Sequence, residues 1–191
     1  RLHPNIQVTP RELSVQKQQE LLISGELDLG FVTLVPKQQK PALSYIPLAS
    51  EDIFAAVPIR HPIATPPEEG WTNAVPVREG EISELNLYAL REEPFVLTYK
   101  ESTLRDLTDH IFESAHVLFE TSSNATITTM VGAEMCCGII PAFYARGHED
   151  KIRFFTLPGK PSWNIMACHH KKRYLSKAAR DFISLAEEFW N

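Results

Sequence analysis

Residues 11–35 read RELSVQKQQELLISGELDLGFVTLV, and this stretch decides the fold. Ser14 is placed to cap a helix, because its hydroxyl can accept a hydrogen bond from a backbone N–H of the first turn. Val15 and Leu22 then lie about two turns apart on one side of that helix. Gly25 follows where a helix end favours a left-handed residue. The pattern predicts a helix that begins after Ser14 and ends at Gly25.

A buried strand is predicted directly after this helix, over residues 26–32. Alternate residues Leu27, Leu29 and Phe31 face one way, which is the period of a strand. The apolar residues at positions 6 and 8 predict another strand before the helix. A strand, a helix and a strand in this order indicate a parallel unit, so the predicted fold class is α/β.

The rest of the chain continues this alternation of strands and helices. Apolar runs bounded by turn residues predict strands, and periodic apolar positions after Ser or Thr predict helices. The predicted strands are 43–48, 52–57, 95–98, 117–119, 138–140, 152–157 and 164–169. Three further helices are predicted to begin at Thr103, after residues 121–124, and at Ser176. Thr103 would form a capping box with Asp106.

An irregular segment interrupts the pattern between residues 58 and 76. Its prolines, together with Gly70, exclude regular structure over most of that interval. Residues 65–85 are therefore predicted to form an inserted surface loop. Trp71 within the loop would either bind a partner or fold back onto the domain, and the second alternative is favoured.

The composition is that of an ordinary globular domain, with 191 residues, 43% apolar and 23% charged. The formal net charge of −5 argues against DNA binding by these residues, because duplex binding depends on clustered Lys and Arg. No apolar run approaches the roughly 20 residues that span a bilayer, and no signal peptide is recognisable. We therefore expect a cytoplasmic protein that makes no membrane contact.

The cysteines Cys136, Cys137 and Cys168 form neither a C-x-x-C pair nor a spacing that suits zinc. No disulfide, metal site or cofactor is therefore expected. Adjacent cysteines allow a redox-sensor interpretation, but the flanking Met135 and Ile139 predict burial. Packed free thiols are the favoured interpretation.

Four segments carry a resemblance to a known family. They are HPNIQV with the following REL and GELDLGF (3–31), PIRHPIA (58–64), ETSSNATITTMVGAEMCCGIIP (120–141) and KKRYLSKAARDFISL (171–185). In this order they resemble the effector-binding domain of LysR-type transcriptional regulators. The resemblance covers nearly the whole chain.

The resemblance implies a two-lobed fold of the periplasmic-binding-protein type (type 2), with a cleft between Rossmann-like lobes. Residues 1–58 and 161–191 would form lobe I, and residues 59–160 lobe II. In the family, a winged helix-turn-helix domain and a first strand and helix of lobe I precede this region, and neither is present in these residues. Relatives usually carry Gly-x-Gly after the helix of lobe II, whereas GAEMCCG keeps only Gly132 and Gly138.

Two helix starts are candidate anion sites, because a helix N-terminus presents unsatisfied N–H groups and a positive dipole end. The alternative is that these residues only cap their own helices. The resemblance favours effector contact, places the two starts across the cleft, and adds residues on neighbouring strands. The candidate effector-binding residues are Ser14, Val15, Gln16, Phe31, Thr33, Thr98, Tyr99, Lys100, Thr121, Ser122 and Ser123. Lys100 would pair with an anionic effector or remain a solvated lysine, and Thr33 replaces a basic residue of some relatives.

The function implied is ligand sensing: a small, anionic or polar metabolite binds in the cleft and controls DNA binding by the full-length regulator. The family forms homodimers or homotetramers, in which the outward helix face with Gln18, Gln19 and Leu21 would be buried by the partner. DNA contact would come only through a domain outside this chain. A solute-binding protein of a transporter and an enzyme on the same fold are the alternatives. No sequence motif of a catalytic site supports the enzyme.

Overall fold

The computed structural model of the protein describes residues 4–64, 90–109, 111 and 115–190. The predicted surface loop at 65–85, with Trp71, lies outside these residues. The described residues include seven strands and four α-helices, each numbered in chain order, together with short 3-10 helices. The strands are β1 (Gly30–Leu34), β2 (Leu43–Pro58), β3 (Pro94–Thr98), β4 (His116–Thr121), β5 (Cys137–Pro141), β6 (Ile152–Thr156) and β7 (Ser162–His170). The helices are α1 (Val15–Ser24), α2 (Thr103–Thr108), α3 (Asn124–Gly132) and α4 (Lys177–Trp190).

The chain divides into two compact units. Unit 1 comprises residues 1–50 and 163–191, and unit 2 comprises residues 51–162. Strand β2 passes from one unit into the other. It is one continuous strand of 16 residues, so the prediction of two separate strands at 43–48 and 52–57 was wrong. The residues between the two predicted strands are Ala49, Ser50 and Glu51, which adopt the extended conformation as readily as a turn.

Helix α1 in unit 1 forms as the sequence predicts. The Ser14 hydroxyl accepts a hydrogen bond from the Lys17 N–H at 3.3 Å, and Gly25 ends the helix with a left-handed φ of 85°. Arg173 donates from Nη2 to the Ser24 carbonyl at 2.7 Å, which places a cation at the negative end of the helix dipole. Leu22 is fully buried.

The strand after α1 begins later than predicted, at Gly30, and its buried face is the opposite one. The backbone N–H groups of residues 25, 26 and 27 all donate to the Leu21 carbonyl, so the chain is still turning where a strand was expected. As a result Val32 and Leu34 are buried, whereas Phe31 is 36% exposed.

The predicted strand before α1 is absent from the described part of the chain. Ile6 and Val8 are 54% and 67% exposed and form no regular structure. β1 pairs antiparallel with β7, so the prediction of a parallel strand–helix–strand unit was also wrong. A strand needs a neighbour for its backbone N–H and C=O groups, and the described residues offer none to this segment.

Unit 2 is built on a mixed sheet. β2 pairs antiparallel with β6 and with β5, while β3 lies parallel to β5 and to β4. A core that includes Phe54, Val96, Ile127, Val131 and Phe154 packs against this sheet. The sheet therefore has one edge at the carboxyl ends of three parallel strands, which is where ligands commonly bind in α/β proteins.

The two helices of unit 2 begin close to their predicted positions. The cap of α2 is Ser102 and not Thr103, since the Ser102 hydroxyl accepts from the Arg105 N–H at 3.1 Å and Thr103 is buried in the first turn. The capping box predicted with Asp106 was therefore wrong. α2 ends at Thr108.

Candidate functional site

Six of the predicted site residues meet at the carboxyl edge of the unit 2 sheet. Thr98 at the end of β3 lies opposite Thr121 at the end of β4. Tyr99 and Lys100 continue from β3, and Ser122 with Ser123 continues from β4. Because the two strands are parallel, these two short segments leave the sheet side by side, about 5 Å apart.

The hydroxyl groups at this edge divide into those with local partners and one without. Thr121 Oγ1 accepts from the Ser123 N–H at 3.1 Å, and Ser123 Oγ accepts from the Thr126 N–H at 3.2 Å. Thr98 Oγ1 lies 2.6 Å from Ser102 Oγ. Ser122 is exposed, and its hydroxyl makes no hydrogen bond with any residue that the structure describes. Ser123 is thus a helix cap, and Ser122 is free to contact a ligand.

The amino end of α3 lies directly behind Ser122. α3 is nine residues long, and the backbone N–H groups of Asn124 and Ala125 precede its first intrahelical bonds. In the described structure no backbone acceptor faces either group. The Oδ1 atom of Asn124 is buried and has no hydrogen-bond partner. Together these groups present donors, and one acceptor, at the positive end of a helix dipole.

Lys100 and Tyr99 are the exposed basic and aromatic groups of this edge. Tyr99 is 49% exposed, and Lys100 is exposed and forms no ion pair with a described residue. An exposed lysine beside a helix N-terminus makes the edge attractive to a carboxylate or phosphate.

Arg105 hydrogen-bonds the ends of β3 and β4 at this edge, and the sequence analysis did not identify it as part of the site. The residue is 6% exposed, and its Nη1 donates to the Thr98 carbonyl at 2.9 Å and to Glu120 Oε1 at 2.8 Å. Its Nε donates to the carboxylate of Asp109. Burial opposes the charge, but the hydrogen bonds to the Asp109 and Glu120 carboxylates outweigh it and raise the pKa of Arg105. Arg105 and Asp109 are four residues apart, about one helical turn, and this spacing was the sequence feature that could have indicated their ion pair.

The remaining predicted site residues belong to unit 1. Ser14 is exposed at the start of α1 and caps it, while Val15 is half-buried against the core beside Leu22. Gln16 donates from Nε2 to Glu20 Oε1 at 3.0 Å, which keeps its side chain on the helix surface.

Phe31 and Thr33 share the face of β1 that points away from α1. The Phe31 ring meets the Phe182 ring of α4 edge-on, with centroids 5.6 Å apart. Thr33 is half-buried. The joint contact of unit 1 and unit 2 residues with one effector stays a prediction.

The interface face predicted for α1 requires a correction. Gln19 is 3% exposed, and its Nε2 donates to the Gln38 carbonyl and to the Tyr45 hydroxyl at 3.0 and 2.9 Å. Leu21 is 9% exposed. Both side chains are already buried within unit 1, so they do not form an outward face. The helical period places them on the core side together with Leu22.

All three cysteines are buried, as the sequence predicts. Burial, and to a smaller extent the nearby Glu93 carboxylate, raises the pKa of Cys137 to about 12. Burial raises the pKa of Cys168 to about 12 as well. A neutral, buried thiol is a poor nucleophile, so these residues act as apolar packing groups.

The described residues contain no group of three or more His, Cys, Asp or Glu side chains arranged to hold a metal ion. Within the same residues, none of the helices combines the length and the apolar character needed to cross a membrane.

Comparison with known proteins places the chain in a family. The model of the LysR substrate binding domain matches residues 1–191. The chain belongs to this LysR substrate-binding domain family. The predicted fold class, α/β with the two-lobed periplasmic-binding-protein type, is confirmed by this membership.

Relatives and solved structures agree with the assignment. YwbI of Bacillus subtilis (strain 168), an uncharacterized HTH-type transcriptional regulator, is 29% identical over 195 residues, which cover 98% of this chain and 58% of YwbI. The CcmR regulatory domain of Synechocystis PCC6803 in complex with 2-PG has a TM-score of 0.75 at 17% identity, covering 100% of this chain and 86% of that chain. The effector binding domain of QuiR in complex with shikimate has a TM-score of 0.67 at 16% identity, covering 93% of this chain and 78% of that chain. The LysR domain described here spans less than two thirds of the length of its curated relatives.

Proposed function

We propose that this LysR substrate-binding domain senses a small anionic or polar metabolite and passes its binding to the DNA-binding part of a longer regulator. The observation that carries the proposal is the carboxyl edge of unit 2. There the free Ser122 hydroxyl and the unpaired N–H groups at the start of α3 follow β4, and the exposed Lys100 follows the adjacent parallel strand β3.

The start of α1 is the second half of the proposed site. Ser14, Val15 and Gln16 present a comparable helix N-terminus on the other unit, and Phe31 with Thr33 lies on the strand that follows α1. A ligand held by both units would favour the arrangement in which both contact it, because a ligand shifts an equilibrium by its differential affinity. The lobe bounds 1–58 with 161–191 and 59–160 belong to this proposal.

The chemistry of related effectors supports the class of ligand. The CcmR domain was solved with 2-PG and the QuiR domain with shikimate, and shikimate is a carboxylate. The relatives are named as transcriptional regulators, which favours a regulator over a solute-binding protein or an enzyme. We further propose that the full-length regulator acts in the cytoplasm as a homodimer or homotetramer and that another domain binds the DNA.

A thermal-shift screen tests the proposal with small carboxylates, amino acids, sugar phosphates and shikimate. A ligand at 100 times its dissociation constant stabilises the folded state by about 2.7 kcal/mol, which raises the melting temperature by several degrees. Ser122→Tyr fills the space before α3 and should abolish the shift given by any hit. Ser184→Tyr, on the exposed face of α4, is the matched control and should leave the shift intact. Equal shifts in both variants would place the ligand elsewhere.

A further inference from the structure

A cavity of about 270 Å³ lies at the opposite edge of the unit 2 sheet. It is formed where β3 and β5 begin and β2 ends, so it is separated from the carboxyl edge by the length of the strands. The charged and imidazole side chains that line it are Arg60, His61, Glu93 and Glu134, and the sulfur-containing ones are Met135, Cys136 and Cys137. The proposed effector site uses none of these residues.

The charged groups of the cavity form two pairs of opposite sign. Arg60 Nε lies 3.4 Å from Glu134 Oε1, with 82% and 43% of the two side chains exposed. His61 Nε2 lies 3.1 Å from Glu93 Oε1. An ion pair as exposed as that of Arg60 contributes little to stability, so a ligand can replace either partner at small cost.

His61 has a fixed orientation. Its Nδ1 accepts from the Ile63 N–H at 3.2 Å, so the ring proton sits on Nε2 and is donated to Glu93. Arg60 is the guanidinium that lines the cavity, and Glu93 and Glu134 are its two carboxylates.

Glu134 occupies its position in a strained conformation. Its φ is 61°, in the left-handed region that favours glycine. A glycine would make the same turn between α3 and β5 without strain. Residues held in sparsely populated conformations concentrate at ligand sites, where the side chain is needed. The side chain held here is the Glu134 carboxylate, which lines the cavity.

Apolar groups complete the lining. Met135 is 56% exposed although it is a large hydrophobic residue, and its flexible thioether can adapt to different apolar ligands. Pro58 and Pro94 add two rigid apolar surfaces, and the buried Cys137 lies among them.

We infer that this cavity is a second ligand site of unit 2 and that it binds a free α-amino acid with an apolar side chain. Arg60 receives the carboxylate, Glu93 and Glu134 receive the ammonium group, and the side chain packs on Met135 and Pro94. A cavity of about 270 Å³ has room for an amino acid of the size of leucine or methionine. Binding here is independent of the effector proposed for the carboxyl edge.

Two-dimensional NMR titration of the whole chain with L-leucine and with L-methionine tests the inference. Amide signals of residues 60, 61, 93, 134 and 135 should shift with a saturable, millimolar dissociation constant. Isocaproate, which lacks the ammonium group, and isoamylamine, which lacks the carboxylate, should each bind at least tenfold more weakly than L-leucine. The inference would be overturned if these signals did not shift at about 20 mM amino acid. It would also be overturned if either analogue bound as tightly as L-leucine.

Variants separate the binding role of Glu134 from its effect on the fold. Glu134→Gln and Arg60→Gln should each weaken L-leucine at least tenfold. Glu134→Gly removes the strained residue and should abolish binding while the protein remains folded. Glu149→Gln, outside the cavity in the same unit, is the control and should bind as the wild type does. Unchanged affinity in Glu134→Gly would overturn the inference, and shifts confined to residues 98–100 and 121–123 would do the same.

Discussion

At the scale of single residues, Glu134 shows how a side chain can be kept against the preference of its backbone. The turn from α3 to β5 needs a left-handed residue, and Glu134 supplies it with a φ of 61°. The family pattern has glycines in this segment, so the departure was visible in the sequence. The strain could not be predicted from the sequence, because the φ angle of Glu134 depends on how Met135 and Cys136 connect α3 to β5.

Replacing Glu134 by glycine should stabilise the fold. Relief of the left-handed strain outweighs the extra entropy of an unfolded glycine and the loss of an exposed ion pair, so we expect a gain of about 1 kcal/mol in the free energy of unfolding. Urea unfolding measures it. Glu188→Gly, within the regular helix α4, is the control and should lose about 1 kcal/mol. A loss in both variants would show that Glu134 is not strained.

The buried thiol of Cys137 predicts a loss of stability at alkaline pH. Its folded-state pKa is raised to about 12 by burial and by Glu93. The thiol has a pKa of about 8.5 in the unfolded chain, so Cys137 loses its proton at a lower pH in the unfolded state than in the folded state. The contribution of this group is therefore complete below the unfolded pKa and declines as the pH rises toward the folded one.

Urea unfolding as a function of pH checks this sign. For each pH unit above the unfolded pKa, the wild type should lose about 1.4 kcal/mol more than Cys137→Ala. The comparison cancels the titration of tyrosines and lysines that both proteins share. Parallel pH profiles for the two proteins would mean that the Cys137 thiol ionises as easily in the folded state as in the unfolded one.

At the scale of elements, Arg105 joins α2 to the ends of β3 and β4. It donates to the Thr98 carbonyl, to Glu120 and to Asp109, and all three bonds converge on one buried guanidinium. Arg105→Gln should destabilise the protein by about 2 kcal/mol, because charge-assisted hydrogen bonds are lost at a buried position. Thermal unfolding measures the loss. Arg146→Gln, at an exposed position of the same unit, should change the melting temperature little, and an equal change in both variants would contradict the role of Arg105.

Elements with a local signal were predictable from the sequence. α1 begins at Ser14 and ends at Gly25 because both caps are written into neighbouring residues. β3 was also predictable, since a buried strand reads as a short apolar run. The register of β1 was not, because three successive N–H groups bond to Leu21 and delay the strand. Such a turn leaves no mark in the alternation of apolar residues.

The candidate site was predictable in part for a related reason. Ser122 and Ser123 precede an apolar helical stripe, so an anion-binding helix start could be expected there. Which hydroxyl caps the helix and which stays free depends on the geometry of the turn. Arg105 escaped prediction because its partners Thr98 and Glu120 lie on other elements, and only the tertiary structure brings them to it.

At the scale of the whole molecule, we propose that the starts of α1 and α3 bind one effector. Ser14 belongs to unit 1 and Ser122 to unit 2, which are linked by the continuous strand β2 and by the chain at residues 162–163. The proposed function needs one molecule to contact both helix starts, because a ligand shifts an equilibrium between two states only through its differential affinity for them.

The most direct measurement is an NMR titration of this chain with the strongest hit of the thermal-shift screen. Amide signals of residues 14–16 and of residues 121–125 should shift together, with one dissociation constant. Shifts in only one of the two groups, or two different dissociation constants, would contradict a single effector held by both helix starts.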